Sequence, residues 1–118
     1  MHELSIVQSV VSSVVDALPG LGHPQVLSVK LRVGELSGVV EASLQFCYEA
    51  ATAGTVLEGS KLEVEHVPAA IYCPKCDAVV DLPGIQSFRC PQCNQPSGDL
   101  RRGRELDIES LQIEESVN

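Results

Sequence analysis

Cys73-Pro74-Lys75-Cys76 and Cys90-Pro91-Gln92-Cys93 are two copies of one thiol hook, with 13 residues between them. A Cys-x-x-Cys turn aims two sulfurs at one centre, and two such turns make the tetrahedral four-thiolate cage that suits Zn²⁺. Iron fits the same cage, and disulfides or a redox dithiol are the remaining chemistries of these residues; zinc is the reading adopted. Four protein thiolates leave no position for water or substrate, so the predicted site is structural. In zinc-finger peptides such a site contributes roughly 10–16 kcal/mol of folding free energy, enough to order a segment too small to hold a core. Pro83-Gly84 between the hooks fits the centre of a type II turn, so residues 77–89 are predicted to form a short hairpin that brings the hooks together. The separation is slightly below the usual window for paired hooks, as a tight hairpin requires.

The other chemically loaded place is the start, Met1-His2-Glu3. A side chain as bulky as His at the second position blocks removal of the initiator Met, so the α-amine stays one peptide bond from His2. That amine, the His2 amide nitrogen and its imidazole Nδ1 can close fused five- and six-membered chelate rings on one ion. The Glu3 amide nitrogen can complete an in-plane set of four nitrogens. Square-planar nitrogen ligation selects Ni(II) or Cu(II) over zinc. Any chain can begin Met-His, however, so this terminus alone does not specify a metal site.

The composition limits what surrounds these residues. A chain of 118 residues allows one compact domain, or a small one with a metal-stapled appendage. No stretch of eighteen apolar residues and no basic n-region is present, so neither a membrane span nor a signal peptide is predicted. Five cysteines, four of them in hooks, fit a reducing cytoplasmic setting better than a secreted disulfide framework. The net charge of −8 argues against nucleic acid as a partner, because phosphate binding rests on accumulated Lys and Arg. Arg101, Arg102 and Arg104 form the one basic cluster and read as a solvated turn, with docking of an acidic partner as the alternative.

Leu4, Val7, Val11, Val14, Val15 and Leu18 recur at helical spacing and predict an amphipathic helix, stopped by Pro19-Gly20. Leu27, Val29, Leu31 and Val33 alternate with polar residues as a half-buried strand. Leu44, Cys47, Tyr48 and Ala51 give a second helical face, with Gly54 as its stop and Glu41 as a first-turn carboxylate. Leu62 and Val64 mark a second strand. The third runs from Leu106 to Ile113, with a bulge expected near Ser110 where the alternation slips. The predicted fold is α+β: two helices packed on a small three-stranded mixed sheet, with an inserted zinc-ribbon-like module built on the four hook cysteines. Residues 1–70 with 101–118 form the lobe, and residues 71–100 the zinc-binding module. Cys47 reads as a buried inert thiol, and His23 and His66 as packing or surface residues. No nucleophile arrangement or phosphate loop is present, so no enzymatic activity is expected.

Met1-His2-Glu3-Leu4-Ser5-Ile6, the strand end Val33-Gly34-Glu35-Leu36-Ser37 and the two Cys-Pro-x-Cys hooks together resemble the HypA/HybF family of nickel metallochaperones. Gly54-Thr55-Val56-Leu57-Glu58-Gly59 and the closing residues 106–114 extend the resemblance over almost the whole chain. It implies a cytoplasmic chaperone that delivers Ni²⁺ during maturation of [NiFe]-hydrogenase and, in some bacteria, of urease. The implied partners are a nickel-handling maturation GTPase, the hydrogenase large-subunit precursor and urease maturation proteins, with a homodimer also allowed. Nickel ligation carries over to Met1, His2 and Glu3, with His2 essential, and zinc ligation to Cys73, Cys76, Cys90 and Cys93. The competing class is a zinc-ribbon module that binds protein or nucleic acid without a nickel function. It accounts for the hooks but not for the acidic charge or the terminal chelate.

Overall fold

The computed structural model describes residues 3–21 and 25–114, so Met1, His2 and His23 lie outside the described residues. Two compact units emerge: residues 1–31, 39–64 and 108–118, and residues 32–38 and 65–107. No helix among the described residues is long and apolar enough to cross a membrane.

The first unit holds helices α1 (Glu3–Ala17) and α2 (Glu41–Thr52), which pack against each other. Its sheet is formed by β1 (Gln25–Gly34), β2 (Lys61–Val67) and β6 (Leu106–Glu114), in the order β2-β1-β6. Polar contacts Lys30–Glu109 and Ser28–Gln112 run in opposite directions along β1 and β6, which makes that pair antiparallel. The sheet is mixed, so α2 is the crossover to a parallel β2, as a helical connection of this length allows. The expected two helices on a three-stranded mixed sheet are therefore present. The slip near Ser110 is there too: Ile108, Leu111 and Ile113 are half-buried, whereas Glu109 and Ser110 are both exposed.

Two details of phase differ from the sequence reading. In α1 the buried stripe is Glu3, Val7, Val10 and Val14, while Leu4 (48 % exposed) and Val15 face solvent. The valine doublets 10/11 and 14/15 offer two stripes one residue apart, and the fold takes the first member of each. In β1, Val29, Leu31 and Val33 are buried as expected, but Leu27 is exposed and Val26 and Ser28 are covered instead. As the central strand, β1 has neighbours on both edges, and the Ser28 hydroxyl is matched by Gln112 at 3.3 Å. On α2 the buried face is Leu44, Tyr48 and Thr52. Its stop is as expected, with Gly54 in the left-handed region at φ +78° just past the last turn. Cys47 is half-buried rather than enclosed.

The second unit contains its own antiparallel sheet, which the sequence reading lacked. Strands β3 (Ala70–Cys73), β4 (Ala78–Asp81) and β5 (Leu100–Arg102) lie in the order β4-β3-β5. Ala69, Ile71, Val80 and Leu82 are buried with Cys73 and Cys90, and Leu36 and Leu100 pack against them. This segment thus has a small core after all, built around the thiols. The single hairpin centred on Pro83-Gly84 is not formed. Gly84 is absent from the positive-φ residues, so the type II geometry is excluded at that position.

A close backbone crossing also belongs to this unit. The Gly34 N–H donates to Glu105 O and the Leu36 N–H to Gly103 O, each at 2.7 Å. A Cβ on Gly34 would overlap the carbonyl carbon and oxygen of Gly103, which itself sits at φ +127° against Ala69. Only glycine permits such an approach. Beside it, Glu35 accepts the Ala69 N–H at 3.0 Å and Arg32 pairs with Glu105 at 3.6 Å.

Candidate metal centre

Each hook sits in a hairpin of its own. The first is the turn joining β3 to β4, whose register runs from Cys73↔Ala78 back to Ala70↔Asp81. The second is closed by a bridge between Arg89 and Pro96 and by Cys90 N–H donating to Gln95 O. The residue after each hook adopts the left-handed conformation, Asp77 at φ 52° and Asn94 at φ 63°. Asp and Asn are the residues besides glycine that tolerate it best. The second hook is further closed by Asn94 N–H to Cys90 O at 2.8 Å, and in the first the Cys76 N–H points at Cys73 Sγ at 3.5 Å.

The four sulfurs converge. Cys73 Sγ lies 3.5 Å from Cys93 Sγ and Cys76 Sγ 3.8 Å from Cys90 Sγ, and all four lie within 4.8 Å of one another. A zinc ion at about 2.3 Å from each thiolate sets tetrahedral sulfur separations of about 3.8 Å. The donor set, spacing and shape therefore fit a structural zinc site. Cys73 and Cys90 are buried, and Cys76 and Cys93 are half-buried.

Electrostatics show why the cage needs a cation. The Cys93 backbone N–H, followed by that of Gln92, draws the Cys90 thiol down to about 7. Hydrogen bonding to Cys93 and then to Cys90 pushes Cys76 up to about 12. Four thiols so close cannot all ionise against one another, whereas a bound dication favours every thiolate. Around the cage, the Arg101 guanidinium lies 4.8 Å from the Tyr72 ring centroid and makes two 2.8 Å bonds to Asp99. Arg102 pairs with Asp81 at 3.0 Å. Two of the three clustered arginines are thus held by neighbouring carboxylates.

Of the residues assigned to nickel, Glu3 is described. It opens α1, is 7 % exposed, and its carboxylate accepts the Val40 N–H at 3.2 Å. Val40 is the N-cap of α2, and Glu3 accepts from α1 the N-cap N–H that a Glu or Gln at the third helical position takes in a capping box. The carboxyl is drawn down to about 2, with the chain's α-ammonium as the largest cause and the Val40 N–H next. Glu41 is the first residue of α2 and exposed, as its sequence position implied, and His66 is exposed on β2.

Residues 1–113 match the family model described as hydrogenase/urease nickel incorporation, metallochaperone, hypA. The chain belongs to the HypA family. Curated relatives include the hydrogenase maturation factor HypA of Roseiflexus sp. (strain RS-1), 45 % identical over 117 residues, covering 99 % of this chain and 95 % of that one. The HypA of Chloroflexus aurantiacus (strain J-10-fl) is 42 % identical over 112 residues, with 95 % and 98 % covered. In fold, the chain is similar to the solution structure of the Ni metallochaperone HypA from Helicobacter pylori. That match has a TM-score of 0.66 at 18 % identity and covers 96 % of this chain and 97 % of that one. HypA membership makes the chain a nickel metallochaperone of hydrogenase maturation, and the bare zinc-ribbon reading is not favoured.

Proposed function

We propose that this HypA chain holds Ni(II) through the Met1 amine, the His2 amide and imidazole nitrogens and the Glu3 amide, and hands it to the hydrogenase maturation machinery. The observation that carries this reading is that the match to the nickel-incorporation family begins at residue 1, so the Met-His-Glu terminus is inside the matched region. Glu3 supports it further. Its carboxylate accepts the Val40 N–H and Glu3 opens α1, which anchors the chelating end to a helix. Terminal nitrogens hold nickel reversibly, because protons compete for the amine, the imidazole and the amides. The zinc cage has no open position and serves as a platform. The unit that begins with α1 is the nickel-carrying part, the unit of residues 32–38 and 65–107 carries the zinc, and neither catalyses a reaction. Its setting is the cytoplasm, where a nickel-handling GTPase, the [NiFe]-hydrogenase large-subunit precursor and, in some bacteria, urease maturation proteins are the partners.

Nickel titration of the untagged protein, beside His2→Ala and a chain lengthened by several residues before Met1, tests the ligand set. Both changes should abolish the low-spin absorbance of planar Ni(II) and leave zinc at one per chain. Equal affinity and identical spectra for all three proteins would refute the terminal-amine site.

A further inference from the structure

Helix α2 is apolar on two sides. Leu44, Tyr48 and Thr52 face inwards. Ala42, Phe46, Ala50 and Ala53 follow at spacings of four, four and three and are all exposed, a second stripe on a different face. Phe46 is 75 % exposed, the most exposed large apolar residue among those described. Beside it lies an open groove of about 870 Å³, whose lining includes Phe46, Glu49, Ala50 and Ala53 of the helix end and Glu58, Lys61 and Leu62 beyond it. An aromatic anchor flanked by alanines, which let another backbone approach closely, is the pattern of a docking site rather than of a solvated helix face.

Charge selects the occupant. The unit that carries this groove has nine carboxylates against two lysines, a net of −7, whereas the other unit has seven against six basic residues, a net of −1. Lys30 is already paired with Glu109, Lys61 is the one cation in the groove's lining against Glu49 and Glu58, and among the described residues no cation pairs with either carboxylate. A second copy would bring −7 against −7, and an anionic bilayer would be repelled in the same way. We propose that the α2 groove docks a basic amphipathic helical segment of a partner protein, with a large apolar side chain beside Phe46 and Lys or Arg facing Glu49 and Glu58. This goes beyond the nickel reading, since no metal ligand takes part.

The probe is a 15-residue Leu/Lys amphipathic peptide, with its Leu/Glu counterpart as control, titrated into the full chain and followed by amide chemical shifts. The expected result is saturable one-to-one binding of the Leu/Lys peptide, with shifts confined to α2 and residues 57–62. Phe46→Ser should weaken it by about tenfold or more, as should Glu49→Lys with Glu58→Lys, at unchanged zinc content and melting temperature. Absence of saturable binding, shifts centred elsewhere, or indifference to Phe46→Ser would overturn the proposal. So would a Phe46-dependent dimer in sedimentation without peptide, or Phe46-dependent binding to phosphatidylglycerol vesicles, which would make a second copy or a lipid surface the occupant.

Discussion

Replacing Gly34 with alanine puts one methyl group where no side chain can yield. The atoms it meets are the Gly103 carbonyl carbon and oxygen, so the overlap is relieved only by separating the two backbones. Separation breaks Gly34 N–H to Glu105 O and Leu36 N–H to Gly103 O. Each bond contributes about 0.5–1.5 kcal/mol, and a donor or acceptor left buried and unmatched costs about 1–3 kcal/mol. Gly34 and Gly103 are both buried, so we expect a loss of about 3 kcal/mol. With a urea slope of about 1–3 kcal/mol per molar, that shifts the midpoint by about 1–3 M. Tyrosine emission reports it cleanly, because the chain has no Trp and two Tyr, one in each unit. Tyr48→Phe removes one of them and leaves Tyr72 to follow the zinc-bearing unit. Gly20→Ala is the control, since its added Cβ meets nothing within 4 Å. A Gly34→Ala midpoint within the error of that control would refute the crossing as a constraint.

Leu44→Ala should cost about 3 kcal/mol, as a fully buried leucine does, whereas Phe46→Ala two residues along should stay within about 0.5 kcal/mol; thermal melts of the pair check both. Metal analysis should find one zinc per chain, and Cys73→Ser or Cys93→Ser should lose it and disorder residues 71–100 while the helical circular dichroism persists; two intact disulfides without zinc would contradict this. Glu3 has its carboxyl held at about 2, below the ordinary value, so the fold favours the ionised form and its contribution is present above about pH 4.5 and lost as pH falls towards 2. The stability difference between wild type and Glu3→Gln should therefore be flat near neutrality and shrink through that acid window, in melts without nickel. Nickel affinity, by contrast, should fall steadily as pH falls if nitrogens are the ligands, since protons compete with the metal for them.

The hooks were legible because their chemistry is set by four residues and a spacing. The lobe was legible because Val29, Leu31 and Val33 alternate and Leu44 and Tyr48 are a helical turn apart. Phase in α1 was not, since adjacent valines satisfy either stripe and only packing against α2 chooses. The second sheet went unread although a signal was present: Asp77 and Asn94 each follow a hook, and an Asx residue there predicts a left-handed exit and a hairpin around each hook. Pro83-Gly84 looked like the stronger turn, but closing each hook on its own strands left that pair nothing to join. Ser28 was misread as outward because side-chain polarity says nothing about a partner such as Gln112 on a neighbouring strand.

The zinc-bearing unit is assembled from two separated stretches, with residues 32–38 arriving from far upstream in the chain. Leu36 packs against its core and Glu35 accepts the Ala69 N–H. The module is therefore not a cassette. A peptide cut at the hooks' own borders would carry all four thiols yet lack a wall of the core, and moving this zinc site into another scaffold requires transplanting a strand end that holds no ligand. Circular permutation that opens the chain between β1 and α2 would test the same dependence in reverse, since it leaves every contact partner in the molecule and changes only the order in which synthesis supplies them.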